Sequence, residues 1–313
     1  MSEPTPIPAA ETVADRVLSF TLSQDDAMGR VVRLGPVLET ILSAHSYPPV
    51  AERLLAEALV LTTLLGAGIK DEAGQITLQA QTQAGAISLL VCDYRGGELR
   101  GHLAFDAGAL ADLGPQPDLP ALFGDGFLGI TIEDSLAGGR YQGIVPLEGA
   151  SLAEAAERYF RQSLQLPTVV RLAAGRDDDG CVAGGVLMQT LASGEVGHER
   201  IEVREELRGP ADLLWEHVAT LAETISPAEL IDRRLSLEAL VWRLFHDEGE
   251  VRAALGPVLT RGCRCDPDYL ASVLARFPHE DRAEMIGDDG MIGVDCAFCS
   301  RRFALDPAAL TSA

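Results

Sequence analysis

Four of the six cysteines in this 313-residue chain fall into two short-spaced pairs near its C-terminus, Cys263-Arg264-Cys265 and Cys296-Ala297-Phe298-Cys299. A pair spaced this way presents two sulfurs to one metal ion with little chain entropy to lose. Two such pairs close a tetrahedral site of the kind zinc favours when four thiolates hold it with no open position. We read one zinc ion held by Cys263, Cys265, Cys296 and Cys299. Unrelated buried thiols are a poor alternative for two pairs in so short a stretch. A segment too small to build its own core is stapled by such a site. The same thiolates are the atoms that oxidants attack, so oxidation takes the ligands from the metal. Structural staple and redox-responsive element both remain open at this point.

The compartment follows from what surrounds the cysteines. The N-terminus, MSEPTPIPAAETVAD, carries acids and prolines where a secretory signal shows a basic start and an apolar core, and no uncharged apolar run reaches spanning length. A cytoplasmic protein without a membrane partner is expected, and its thiols stay reduced there. A net charge of -22 repels a phosphate backbone, which argues against nucleic acid as a partner. Lys70 is the only lysine, and GAGIKDE around it is not a phosphate-binding loop. No enzyme constellation is visible.

Patterning divides the chain. Residues 1–12, with Pro4, Pro6 and Pro8, read as a flexible tail. From Val17 to Leu34 two short apolar runs flank SQDDAMG and predict a hairpin. Two helical patterns meet at Pro48 and Pro49, and Leu54, Leu55, Ala58, Leu61, Leu64 and Leu65 mark a core stripe on the second. ITLQAQ, ISLLVCDY and ELRGHLAF are β-rich and joined by short turns, which only antiparallel pairing allows. LGITIED, YQGIVPL, TVVRLAA and CVAGGVLMQTL read as further strands, and SLAEAAERYFRQSLQ as a helix. The expected fold is α+β, a sheet with flanking helices over 13–196.

Helical signals replace strand signals from about Gly197 to Leu259. Leu214, Val218, Leu221 and Ile225 share one face, Ser226 with Glu229 makes a capping-box pattern around Pro227, and Leu237, Leu240, Val241, Leu244 and Phe245 make another stripe. Short helices interrupted by Asp232, Arg233 and Arg234 need a partner surface. We expect a helical linker over 197–262 docked on the first domain, and a zinc-binding module over 263–313. Cys92 and Cys181 read as structural thiols. The six histidines lack metal-ligand spacing, and His279, between the cysteine pairs, reads as a surface residue.

These residues resemble a known family, the bacterial redox-regulated holdase chaperones of about thirty-three kilodaltons with a C-terminal zinc centre. The cysteine pairs carry the resemblance most specifically, with Phe298 inside CAFC. YPPVAERLLAEALVLTTLL at Tyr47 to Leu65, YQGIVPL at Tyr141 to Leu147 and YFRQSLQLPT at Tyr159 to Thr168 extend it along the chain. Departures are Asp266 where serine is common, Leu164 for a frequent acidic residue, and Phe303 for tyrosine; none removes a ligand. The resemblance implies a non-enzymatic chaperone that is inactive while reduced and zinc-bound. On oxidation it implies Cys263–Cys265 and Cys296–Cys299 disulfides, zinc loss, unfolding of the module and linker, and apolar surface exposed to unfolding client proteins. An oxidised homodimer is also implied. A bridge between Cys263 and Cys265 spans one residue and is strained towards reducibility. Two other readings make different forecasts: a constitutive scaffold is inactivated by peroxide, and a thiol oxidoreductase using Cys296 and Cys299 turns over, although CAFC lacks a βαβ context.

Overall fold

A computed structural model describes residues 15–22, 27–69, 71, 73–134, 139–190 and 210–310. The expected tail at 1–12 and the boundary expected at 196 lie outside them.

The chain opens with the expected hairpin, β1 (Arg16–Leu22) and β2 (Ala27–Leu34), paired in antiparallel register from Arg16–Arg33 to Leu22–Ala27. Helix α1 (Pro36–Leu42) and helix α2 (Pro49–Gly66) follow, each with proline in its first turn, where the missing N–H would have no intrahelical partner. The meander β3 (Gln75–Gln81), β4 (Ile87–Arg95) and β5 (Glu98–Phe105) leads through α3 (Ala107–Ala111) and α4 (Leu119–Phe123) to the pair β6 (Phe127–Asp134) and β7 (Gly139–Pro146). Helix α5 (Leu152–Tyr159) is capped by Ser151 and runs into a π-helical turn, Phe160–Leu164. The long pair β8 (Thr168–Asp177) and β9 (Gly180–Thr190) comes next.

The sheet expected from the sequence is two sheets. β9 pairs with β2, and β8 with β9 at the edge, rather than closing the meander, so the strands divide into a five-stranded sheet and a six-stranded one centred on β3 to β6. Helix α2 lies between them, in contact with β2, β9 and β8 on one side and β3, β4 and β5 on the other. Burial on both flanks explains its apolar run: Leu55, Leu59, Leu61 and Leu64 are wholly buried. β9 is covered on both faces too, which is why CVAGGVLM reads as a continuous apolar run without alternation.

The free face of the five-stranded sheet carries α6 (Pro210–Glu223), α7 (Pro227–Ile231) and α8 (Leu237–Phe245). Val218, Leu230, Leu240 and Phe245 pack there on Leu18, Phe20, Val31 and Met188, a second core separate from that around α2. The Ser226–Glu229 capping box forms as the sequence indicated. The docking of these helices is therefore observed, but their helical run is shorter than the sequence suggested. Val251–Val258 is a strand, β10, antiparallel to β1 at the sheet edge. VRAALGPV has helix-forming residues, yet β1 offers it a row of unpaired main-chain groups, and tertiary pairing outweighs propensity. The short β11 (Thr260–Arg261) then crosses to the other sheet and pairs in parallel with β5.

The C-terminal segment comprises α9 (Pro267–Leu274), α10 (His279–Glu284) and a small antiparallel hairpin, β12 (Ile292–Asp295) and β13 (Arg302–Leu305), with a 3-10 turn at Pro307–Ala309. Its core is slight: Ile292, Phe303 and Leu310 are its buried apolar residues among those described.

Candidate metal centre

Each cysteine pair is delivered by a well-defined local structure. β11 ends one residue short of Cys263, and the Gly262 N–H donates to the Leu99 carbonyl at 2.8 Å, so the main chain is held on β5 up to the first thiol. A Cβ at Gly262 would stand 2.4 Å from that of Glu98, so a glycine lets the chain approach this closely. Cys265 precedes α9, whose N-cap is Asp266; its carboxylate accepts the N–H groups of Asp268 and Tyr269 at 2.7 and 3.0 Å. Asp266 thus caps α9, work that a serine at this place would also perform. The second pair sits in the turn of the β12–β13 hairpin. Cys296 N–H donates to the Arg301 carbonyl at 2.9 Å, and the Cys296 carbonyl accepts from Cys299 and Ser300 at 3.3 and 2.8 Å. Ser300 takes the left-handed conformation, φ 55°, that turns the chain back.

The result brings all four sulfurs to one point, within 4.8 Å of one another. Cys263 Sγ lies 3.1 Å from Cys265 Sγ and 3.5 Å from Cys296 Sγ, and Cys265 Sγ lies 3.5 Å from Cys299 Sγ. These are free thiols. A thiolate tetrahedron with metal bonds of about 2.3 Å has sulfur–sulfur edges of about 3.8 Å, so these three separations need to widen by about 0.3–0.7 Å to accommodate a metal ion. The electrostatics favour one. Burial and the adjoining Cys265 push the Cys263 thiol up, burial also raises Cys265, and Cys299 is drawn down, to about 7. Burial opposes that last shift; the Arg301 N–H and the neighbouring thiols outweigh it. Four thiolates this close cannot ionise together without a cation among them.

The centre is also docked. Phe298 lies over the guanidinium of Arg100 on β5, 4.2 Å from its ring centroid, and meets the His102 ring edge-on at 6.4 Å. Arg100 is fixed beneath it by Asp93 on β4 at 2.6 Å, and Asp93 accepts from Thr77 on β3 at 2.6 Å. Ser300 Oγ is 3.1 Å from His45 Nδ1, and Arg264 hydrogen-bonds to Gln75. Polar residues on the outer face of the six-stranded sheet, which alternation assigns to solvent, are the seat of the cysteine-bearing segment. Sequence reasoning left His45 and His102 unassigned; the only signal was an aromatic inside CAFC. His279 is exposed at the start of α10, as expected.

The remaining cysteines behave differently. Cys92 is wholly buried and its thiol is pushed well up by that burial. Cys181 donates to Glu52 at 2.9 Å and is raised to about 12, by burial first and then by that carboxylate. Neither offers a reactive thiolate near neutral pH. Leu164 and Phe303, the other two departures, fall in the π-helical turn and in the hairpin core, where Phe303 is buried opposite Val294 beneath the Arg301 guanidinium, 4.9 Å from its ring centroid.

The sequence profile of the family described as Hsp33 protein matches residues 15–306. The 33 kDa chaperonin of Caulobacter vibrioides (strain NA1000 / CB15N) is 38% identical over 308 residues, covering 96% of this chain and 97% of that protein. Those of Ectopseudomonas mendocina and Yersinia pestis (strain Pestoides F) are 36% and 31% identical, covering 92% and 93% of this chain and 91% and 92% of theirs. The crystal structure of the 33 kDa chaperonin from Thermotoga maritima superposes with a TM-score of 0.74 at 20% identity, over 95% of this chain and 96% of that one, a likeness of fold.

Proposed function

This chain belongs to the Hsp33 family, and we propose on that premise that Cys263, Cys265, Cys296 and Cys299 hold one zinc ion in the reduced protein and serve as its redox switch. The chain is a chaperone of the holdase kind and not an enzyme. The observation that carries the assignment to these residues is the single cluster of four sulfurs, set in a segment with too little core to stand without a cross-link.

The working parts are a body over 13–196, a linker over 197–262 and a switch module over 263–313. Bound zinc supplies positive charge that lets four thiolates coexist and a cross-link that ties α9 to the β12–β13 turn. Peroxide oxidises the thiolates two electrons at a time, Cys263 pairing with Cys265 and Cys296 with Cys299, while the peroxide is reduced to water. Sulfurs in disulfides no longer act as thiolate ligands, so the module loses its staple. Phe298 then leaves Arg100 and Ser300 leaves His45, and the module's anchor on β5 goes with them. Because Leu259 and β11 connect β10 directly to Cys263, loss of the anchor reaches the linker. The linker helices cover Leu18, Phe20, Val31 and Met188, and their departure exposes an apolar face to unfolding proteins.

A cytoplasmic location suits a switch that must begin reduced, and no described helix is long and apolar enough to cross a membrane. The apolar face also offers a surface for a homodimer of the oxidised form.

The test is to treat the reduced, zinc-loaded protein with hydrogen peroxide at mildly elevated temperature, reading zinc release with a chelating dye and suppression of client aggregation in the same samples. We expect both to rise together and to reverse with reductant. Zinc release with no gain in suppression would reduce the cluster to a structural staple.

A further inference from the structure

Arg33 stands on β2 and is 3% exposed, and its guanidinium is spent entirely on the linker. Its Nε donates to the Leu230 carbonyl at 2.7 Å, Nη2 to the Glu229 carbonyl at 2.9 Å, and Nη1 to the Leu235 carbonyl. These are the end of α7 and the turn into α8. A five-residue helix cannot satisfy its last carbonyls internally, so they need donors from elsewhere.

A second feature of the same place points the same way. The cross-strand neighbour of Arg33 is Gly184 on β9, and a Cβ there would stand 2.2 Å from the Leu230 carbonyl oxygen. Glycine gives the floor on which the end of α7 rests, and arginine gives the donors that hold it. Beside this cradle Arg233, from the linker turn, bonds Asp177 at 2.9 Å and the Cys181 carbonyl at 3.0 Å. The cradle lies on the five-stranded sheet, whereas the metal centre docks on the six-stranded one.

We infer that Arg33 and Gly184 form a latch that positions the linker turn 229–235 on the sheet and sets how readily the linker leaves, separately from the state of the four cysteines. Arg33 is a positioning residue: it acts on the chaperone surface by holding its cover. The inference rests on the functional reading above in one respect, that linker release is what activates.

The test uses full-length, reduced, zinc-loaded protein as Arg33→Met, Arg33→Lys and Gly184→Ala, followed by hydrogen exchange with zinc content and client suppression measured in parallel. Arg33→Met leaves three carbonyls without donors, and Gly184→Ala forces the helix end off its floor. Both should speed exchange in α7 and α8 by on the order of a hundredfold, with β3, β4 and β6 and the zinc content unchanged and suppression appearing without peroxide. Arg33→Lys, keeping the charge but not the fork, should fall between. Unchanged linker exchange in Arg33→Met and Gly184→Ala would overturn the latch. So would loss of protection throughout the protein, or an open linker that suppresses nothing while the oxidised parent does suppress. An open linker with no suppression by variants or oxidised parent would leave the latch standing and remove the functional reading instead.

Discussion

Phe245→Ala isolates the linker's hold on the sheet from the chemistry of the cysteines. Phe245 is wholly buried, its ring 5.6 Å from that of Phe20, among Leu18, Val31, Val218 and Leu240. Truncating a buried phenylalanine costs about 3–5 kcal/mol, of which the aromatic pair supplies about 0.5–1.5 kcal/mol. The lost contacts join α8 to the sheet, so most of that cost falls on linker docking. An opening equilibrium shifted by about 3 kcal/mol populates the open linker more than a hundredfold better. The control is Trp242→Ala on the same helix: Trp242 is 63% exposed, and its removal should cost under about 0.5 kcal/mol. Limited proteolysis of the reduced, zinc-loaded proteins reads the open population when opening is fast relative to cleavage. Phe245→Ala should be cut within 237–258 at least tenfold faster than Trp242→Ala and should suppress aggregation without peroxide. Equal cutting of the two variants would refute the claim that this core holds the linker down.

Other outcomes follow from the same geometry. Cys296→Ser should lower zinc retention and leave the module partly unfolded under reducing conditions, because three thiolates cannot close the site; unchanged zinc content would remove Cys296 from the ligand set. Phe298→Ala deletes the ring over Arg100, a contact worth about 0.5–2 kcal/mol. It should leave zinc bound but bring peroxide activation to a lower temperature, and an unaltered activation temperature would count against docking as part of the switch. Glu57 on α2 is raised by burial, against the pull of Arg53, to about 7. A carboxylate raised in the folded state contributes stability that is present below its ordinary value and lost as pH rises towards 7 and beyond. Glu57→Gln should therefore leave stability near pH 4.5 unchanged and raise it at pH 8 by about 2–3 kcal/mol in denaturant titrations. Equal effects at the two pH values would contradict this.

What could be read from the sequence was what local chemistry fixes. The cysteine spacing indicated the cluster because two chelating pairs have few other uses, and the Ser226–Glu229 box marked the start of α7 because capping is settled within four residues. Strands β1 to β9 were readable where one side was polar or a turn was short. Long-range pairing was not. VRAALGPV becomes β10 only because β1 has a free edge, and β8 and β9 join β2 through a register no local signal encodes. Arg33 in RVVRL reads as an ordinary surface arginine until the linker's carbonyls are placed over it. The seat of Phe298 was hidden for the opposite reason: Thr77, Asp93, Arg100 and His102 alternate as a solvated face should, and the module covers them.

The central claim is that the state of four sulfurs beside one sheet decides whether the other sheet is covered. Hydrogen exchange of the parent protein, before and after peroxide has oxidised the cluster at mildly elevated temperature, tests it directly. We expect amides of α7, α8 and β10 to lose protection on oxidation while those of β3, β4 and β6 keep theirs. Linker amides that stay protected after zinc has left would contradict the account.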